Sequence, residues 1–154
     1  MTGFVGKAIG GWRVSGIGTI RSGTSLSPAL SVSTQGIAVR PDRVPGVAIN
    51  GPKLKTAWFN QNAFTAPQPG FLGNAGTGII LGPALMVLDT ALYKDFHFTE
   101  KAFLEFRAEA FNVLNHTNFT TVNTTYNGST TGTFGTVTAA ADPRILEFAA
   151  RIHF

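Results

Sequence analysis

The stretch from Arg144 to Phe154 constrains the fold more than any other. Leu146, Phe148, Ala150, Ile152 and Phe154 share one parity, and Glu147, Ala149, Arg151 and His153 share the other. Successive side chains point to opposite faces in a strand, so a period of two specifies an extended segment with one apolar and one polar face. A helix would scatter the same residues around its circumference.

The same period recurs upstream. Residues 25–33 set Leu26, Pro28, Leu30 and Val32 against Ser25, Ser27, Ala29, Ser31 and Ser33. Pro28 has no N–H to donate, so this strand should be imperfect there. Residues 85–98 set Met86, Leu88, Leu92, Phe96 and Phe98, interrupted by Thr90 and Lys94, against Asp89, Ala91, Tyr93, Asp95 and His97. Residues 9–21 set Trp12, Val14 and Ile20 against Arg13, Ser15, Thr19 and Arg21, with Ile17 an exception. Residues 102–114 admit two readings. Their Ala, Leu and Glu favour a helix, but a helix puts Arg107 inside the apolar arc. A strand places Glu105, Arg107 and Glu109 together on one face and is preferred, with the helix kept as the alternative.

Composition narrows the class. Charged residues are 13% of the 154, against roughly 25% in an average soluble domain. The absence of cysteine removes disulfides, cysteine-bound metals and thiol nucleophiles. The net charge of +4 comes from 12 basic and 8 acidic residues with no basic run, so no nucleic-acid footprint is expected. Met1-Thr2-Gly3-Phe4 lacks the basic start of a signal peptide. The uncharged stretch from Thr56 to Leu88 is broken by Pro67, Pro69 and Pro83, so it offers no run of ~20 apolar residues for a spanning helix. Membrane strands carry their signal in alternation and stay compatible with this chain.

The links between these stretches alternate in length. Ser22-Gly23-Thr24 and Thr99-Glu100-Lys101 are short. The links 34–84, rich in proline, and 115–143, rich in threonine, are long. Outer-membrane barrels have short periplasmic turns and long extracellular loops. With the last strand ending at the periplasm, strands one, three and five run inward and strands two and four outward.

Several segments carry a family resemblance. Gly11-Trp12-Arg13-Val14-Ser15-Gly16-Ile17 with Arg21-Ser22-Gly23-Thr24, Trp58-Phe59-Asn60-Gln61-Asn62-Ala63-Phe64, and Gly73-Asn74-Ala75-Gly76 with Leu81-Gly82-Pro83 are three of them. Asp89-Thr90-Ala91-Leu92-Tyr93-Lys94-Asp95-Phe96 and the closing Pro143-to-Phe154 strand are two more. The most specific runs Phe106-Arg107-Ala108-Glu109-Ala110-Phe111-Asn112-Val113-Leu114-Asn115-His116-Thr117-Asn118-Phe119. In order and spacing these resemble the late barrel of Oar-like TonB-dependent outer-membrane receptors, which carry a carboxypeptidase-regulatory-like domain. Ser25-Leu26 and Leu81 depart from the family pattern.

The resemblance implies an all-β chain. About five antiparallel meander strands (9–21, 25–33, 85–98, 102–114 and 144–154) would form the C-terminal segment of a large transmembrane β-barrel. Residues 34–84 and 115–143 would be its long extracellular loops. Lumen-facing charges would be Asp89, Glu105, Arg107, Glu109, Glu147 and Arg151, with Glu105, Arg107 and Glu109 read as a structural ladder, able to pair with Asp89 or Arg151, more than as solute contacts. Leu104, Phe106 and Leu146 would face lipid. Phe148, Ile152 and Phe154 would form the C-terminal signal read by the barrel-assembly machinery. The implied partners are the remainder of the barrel and its plug, outer-membrane lipid and the assembly machinery, with TonB reached only through upstream segments. Five strands do not close a barrel, which takes about eight, so a fragment with no transport of its own is expected.

Nothing in the sequence suggests catalysis. His97, His116 and His153 have no metal-ligand spacing, no Gly-x-Ser-x-Gly elbow occurs, and Gly73, Gly76 and Gly78 read as turn glycines. No enzyme activity, cofactor or metal is expected. The sequons at Asn115, Asn118, Asn123 and Asn127 read as a polar loop. The competing reading is a self-contained soluble β-sandwich binding module, with Phe148 and Leu104 in a closed core.

Overall fold

The computed structural model describes residues 10–31, 39–128 and 132–154. In chain order the strands are β1 (Trp12–Arg21), β2 (Ser25–Leu26), β3 (Ala29–Leu30), β4 (Asp42–Arg43), β5 (Asn50–Leu54), β6 (Ala57–Phe59) and β7 (Phe64–Thr65). There follow β8 (Ile80–Leu81), β9 (Leu85–His97), β10 (Phe103–Phe111), β11 (Phe119–Val122), β12 (Thr125–Tyr126), β13 (Val137–Ala140) and β14 (Ile145–His153). A single 3-10 turn at Gln61–Ala63 is the only helical element among the described residues. The chain divides into two compact units.

The first unit holds the four long strands in the order β1-β9-β10-β14. This is an antiparallel meander in chain order, and β1 and β14 are its outer strands. Residues 102–114 therefore contribute a strand, β10. Its two neighbours fix its register, with Glu105 opposite both Asp95 and Arg151, and Ala108 opposite both Leu92 and Phe148. The β9–β10 turn is closed by Thr99, whose hydroxyl accepts from the Ala102 N–H at 2.9 Å.

Residues 25–33 differ from the expectation. They do not form the second strand of the sheet. Ser25–Leu26 pairs with Ile80–Leu81, and Ala29–Leu30 pairs in parallel with Thr125–Tyr126. Pro28, fully buried between the two pieces, has no N–H for a ladder and splits the run. Val32 and Ser33, like residue 9 of the first expected strand, lie outside the described residues. The consequence reaches the topology. β1 lies directly beside β9, and the two run antiparallel, since a Cβ on Gly11 would approach Lys94 while one on Gly18 would approach Leu88. A five-strand meander would have made them run the same way.

The second unit gathers the remaining short strands in pairs around a core of Phe59, Phe64, Ile80, Tyr126 and Phe134. Phe59, Phe64 and Phe134 meet edge to face with ring centroids 5.0 to 5.8 Å apart. Arg43 ties this unit internally, donating to the carbonyls of Ala63 and Val47 and lying over the Phe64 ring. Residues 39–84, 118–128 and 132–141 of the stretches expected as loops thus contribute to a packed body. Connections beyond ~15 residues without structure of their own are uncommon in compact proteins.

Candidate functional site

The candidate site is the four-stranded sheet with its two chemically opposite faces. Residues directly opposite one another in an antiparallel pair project to the same side. The registers therefore put Asp95, Glu105 and Arg151 on one side, with Arg107, Tyr93, Glu109 and Glu147. Asp89 shares the parity of Tyr93 and Asp95 along β9. All six residues read from the sequence as lumen-facing fall on this side. Leu104, Phe106, Leu146, Phe148 and Ile152 fall on the other. Phe154 follows β14 and is fully exposed.

Among the described residues, the apolar side is open at Phe148 and Ile152. Phe148 is 68% exposed and Ile152 65%, and Phe148 stacks on its diagonal neighbour Phe106 with ring centroids 6.4 Å apart. The closed core expected of a soluble sandwich is therefore missing at Phe148. From Met86 to Phe96 the apolar row of β9 covers about 33 Å along the strand at ~3.3 Å per residue. A strand tilted by ~40° reduces that to about 25 Å, the height of a lipid-facing barrel band.

One charge interrupts this row. Lys94 is 2% exposed. Its ammonium lies 5.6 Å from the ring centroids of both Trp12 and Phe96 and donates to the Gly10 carbonyl. The π-faces and the carbonyl stabilise a cation that hydrocarbon alone would exclude.

The charged side is linked across strands by residues that sequence reasoning left off its site. Arg13 of β1 donates two bonds to the Asp95 carboxylate, at 2.9 and 3.0 Å, and lies 3.9 Å from Glu105. The Tyr93 ring sits between two guanidiniums, 5.8 Å from Arg13 and 5.3 Å from Arg107. Arg107 in turn pairs with Glu109 on its own strand, which offsets the like charge of Glu147 directly opposite Glu109. Asp89 binds no guanidinium among the described residues; its carboxylate accepts the Asn112 N–H at 2.8 Å. The parity of Arg13 and Asp95 was visible in the sequence. Their pairing was not, because an intervening strand at 25–33 would have separated β1 from β9.

At the short-turn end of this side, His97, Phe103 and His153 stack across three strands, with centroids 5.2 and 4.3 Å apart. His153 Nε2 is buried and takes no hydrogen bond among the described residues. Those residues contain no cluster of His, Asp and Glu able to hold a metal ion. Among the described residues no helix is long and apolar enough to cross a membrane, which leaves spanning by strands unaffected.

A family model described as an outer membrane beta barrel domain matches residues 1–147. Neither a curated protein nor a solved structure matches the chain.

Proposed function

The chain belongs to the outer membrane β-barrel family, with an outer-membrane location and a barrel-wall role, and from that premise we propose that it forms part of the wall of an Oar-like TonB-dependent receptor. The observation that carries the wall reading is the division of one sheet into an exposed apolar side and an ion-paired polar side. Such a sheet suits a wall between lipid and an aqueous lumen. The TonB-dependent part of the reading is supported by the motif run from Phe106 to Phe119 and by the closing strand. In this reading the even-numbered side chains of the long strands meet lipid and the odd-numbered ones the lumen.

The outer strands β1 and β14 pair with further strands of the same barrel. The C-terminal strand, through Phe148, Ile152 and Phe154, is the part recognised by the assembly machinery, and TonB is engaged by other segments of the receptor. With β14 running toward the periplasm, β10 runs outward, β9 inward and β1 outward. Both long connections then emerge outside the cell, where the second unit contributes to solute choice. The chain acts as scaffold and recognition surface, without enzymatic chemistry.

Insertion of lysine variants tests the face assignment. Phe148→Lys should cost about 2–4 kcal/mol of insertion free energy if this position lies near the bilayer midplane. The adjacent Ala149→Lys, on the polar side opposite Arg107, should insert nearly as well as the parent chain. Assembly of the whole receptor carrying each substitution into lipid vesicles measures both. Normal insertion of Phe148→Lys with failure of Ala149→Lys would reverse the faces.

A further inference from the structure

Residues 50–62 of the second unit form an open cleft of 370 Å³ lined in part by Asn50, Pro52, Phe59, Asn60, Gln61 and Asn62. The volume lies within the ~300–1,000 Å³ of small-molecule sites. Four of these side chains are carboxamides, and no charged side chain lines the cleft. A carboxamide donates and accepts hydrogen bonds without carrying charge.

Two of the four are held in place by the protein. Asn60 Nδ2 donates to the Ala48 carbonyl at 3.0 Å, and Asn60 Oδ1 accepts from the Asn62 N–H at 3.1 Å. Gln61 Nε2 donates to the Phe134 carbonyl, in the aromatic core. The wall is close-packed as well, since a Cβ on Gly51 would come within 2.5 Å of the Phe59 carbonyl carbon. Gln61 Oε1 and the Asn50 and Asn62 side chains make no hydrogen bond among the described residues. The neighbouring ammonium of Lys53 is committed elsewhere. It donates to the Leu81 carbonyl at 3.1 Å and lies 5.0 Å from the Trp58 ring centroid, and burial lowers its pKa.

We infer that this cleft binds a neutral, polyhydroxylated ligand of the saccharide class through the carboxamides of Asn50, Gln61 and Asn62. Each hydroxyl of a sugar both donates and accepts, as a carboxamide does. An anionic ligand would find no countercharge here, and an apolar one would strand the amides. As a statement about solute choice the inference rests on the receptor-wall reading; the binding chemistry is local to residues 50–62.

The test is NMR of side-chain amides in the full chain folded in detergent micelles. It is titrated with maltohexaose, cellohexaose and mannohexaose, and with oligogalacturonate as the anionic probe. At least one neutral probe should saturably shift the Asn50, Gln61 and Asn62 amide resonances, while oligogalacturonate should not. Asn50→Ala and Asn62→Ala change exposed residues, and each should weaken binding roughly threefold to tenfold, the worth of one hydrogen bond. Absence of shifts with every neutral probe, or equal shifts with oligogalacturonate, overturns the inference. A chain that stays folded and monomeric without detergent but still shows the neutral-sugar shifts would sink the receptor-wall reading and leave the cleft standing.

Discussion

Asn112 shapes the end of the sheet through its backbone and its side chain alike. It ends β10 with φ at 49°, a left-handed conformation that asparagine tolerates better than other residues with a Cβ. Its N–H reaches Asp89 at 2.8 Å, its Nδ2 donates to the His116 carbonyl at 3.0 Å, and its Oδ1 accepts the His116 N–H at 3.1 Å. Asn115, also left-handed at 50°, accepts the Arg144 N–H at 3.0 Å. The most specific motif in the sequence is thus a knot joining the ends of β9, β10 and β14. It also supplies a structural reason for the asparagine at the Asn115 sequon. Asn112→Ala should lose about 2–3 kcal/mol, combining unpaired buried groups with backbone strain. Asn112→Gly should recover only the backbone share, and urea unfolding in micelles separates the two. Equal stability of all three chains would show that the knot is dispensable.

Among the elements, the joint between β1 and β9 is the one that pattern alone misplaced. Gly16 allows close approach there, since a Cβ would stand 3.3 Å from the Asp89 carbonyl. Arg13 and Asp95 then bridge the two strands. The Arg13 side chain is 59% exposed, so solvent screening keeps the pair weak in free energy. A double-mutant cycle with Arg13→Ala and Asp95→Ala should give a coupling of at most about 1 kcal/mol. A coupling several times larger would mean that the pair is shielded from water in the assembled wall. The contact also marks the register of β1 against β9. A one-residue slip of β1 would carry Arg13 to the apolar side and Trp12 to the polar one.

The whole chain combines a two-sided sheet with a second unit that has its own core. The sheet makes few internal apolar contacts of its own, as Phe148 and Ile152 show. The second unit buries Phe59, Phe64 and Phe134 almost completely. The two should therefore unfold in separable steps. Phe134→Ala should cost the second unit about 3–5 kcal/mol and strip hydrogen-exchange protection from the amides of β6, β11 and β13. The β9 and β10 amides should keep theirs. Simultaneous loss across both would show a single cooperative body. The paired short strands of this unit also accommodate the prolines between the long strands. Two-residue ladders tolerate prolines that a long strand would not.

Period-two alternation was enough to locate the long strands near residues 12–21, 85–97, 103–111 and 145–153 and to sort their side chains into two sets. That information is local: each side chain's face follows from its parity alone. Three charges on one parity were likewise enough to prefer a strand for β10. Alternation does not state which strand lies beside which, and residues 25–33 alternate as well as any. Whether such a run joins the sheet depends on Pro28, buried between Ser25–Leu26 and Ala29–Leu30, and on partners at Ile80–Leu81 and Thr125–Tyr126. Those partners lie more than fifty residues away along the chain. The Arg13–Asp95 bridge, the contact of Tyr93 with Arg13 and the shielding of Lys94 by Trp12 and Gly10 all arise from such distant pairings. Each joins residues that parity classifies singly and only the folded backbone brings into contact.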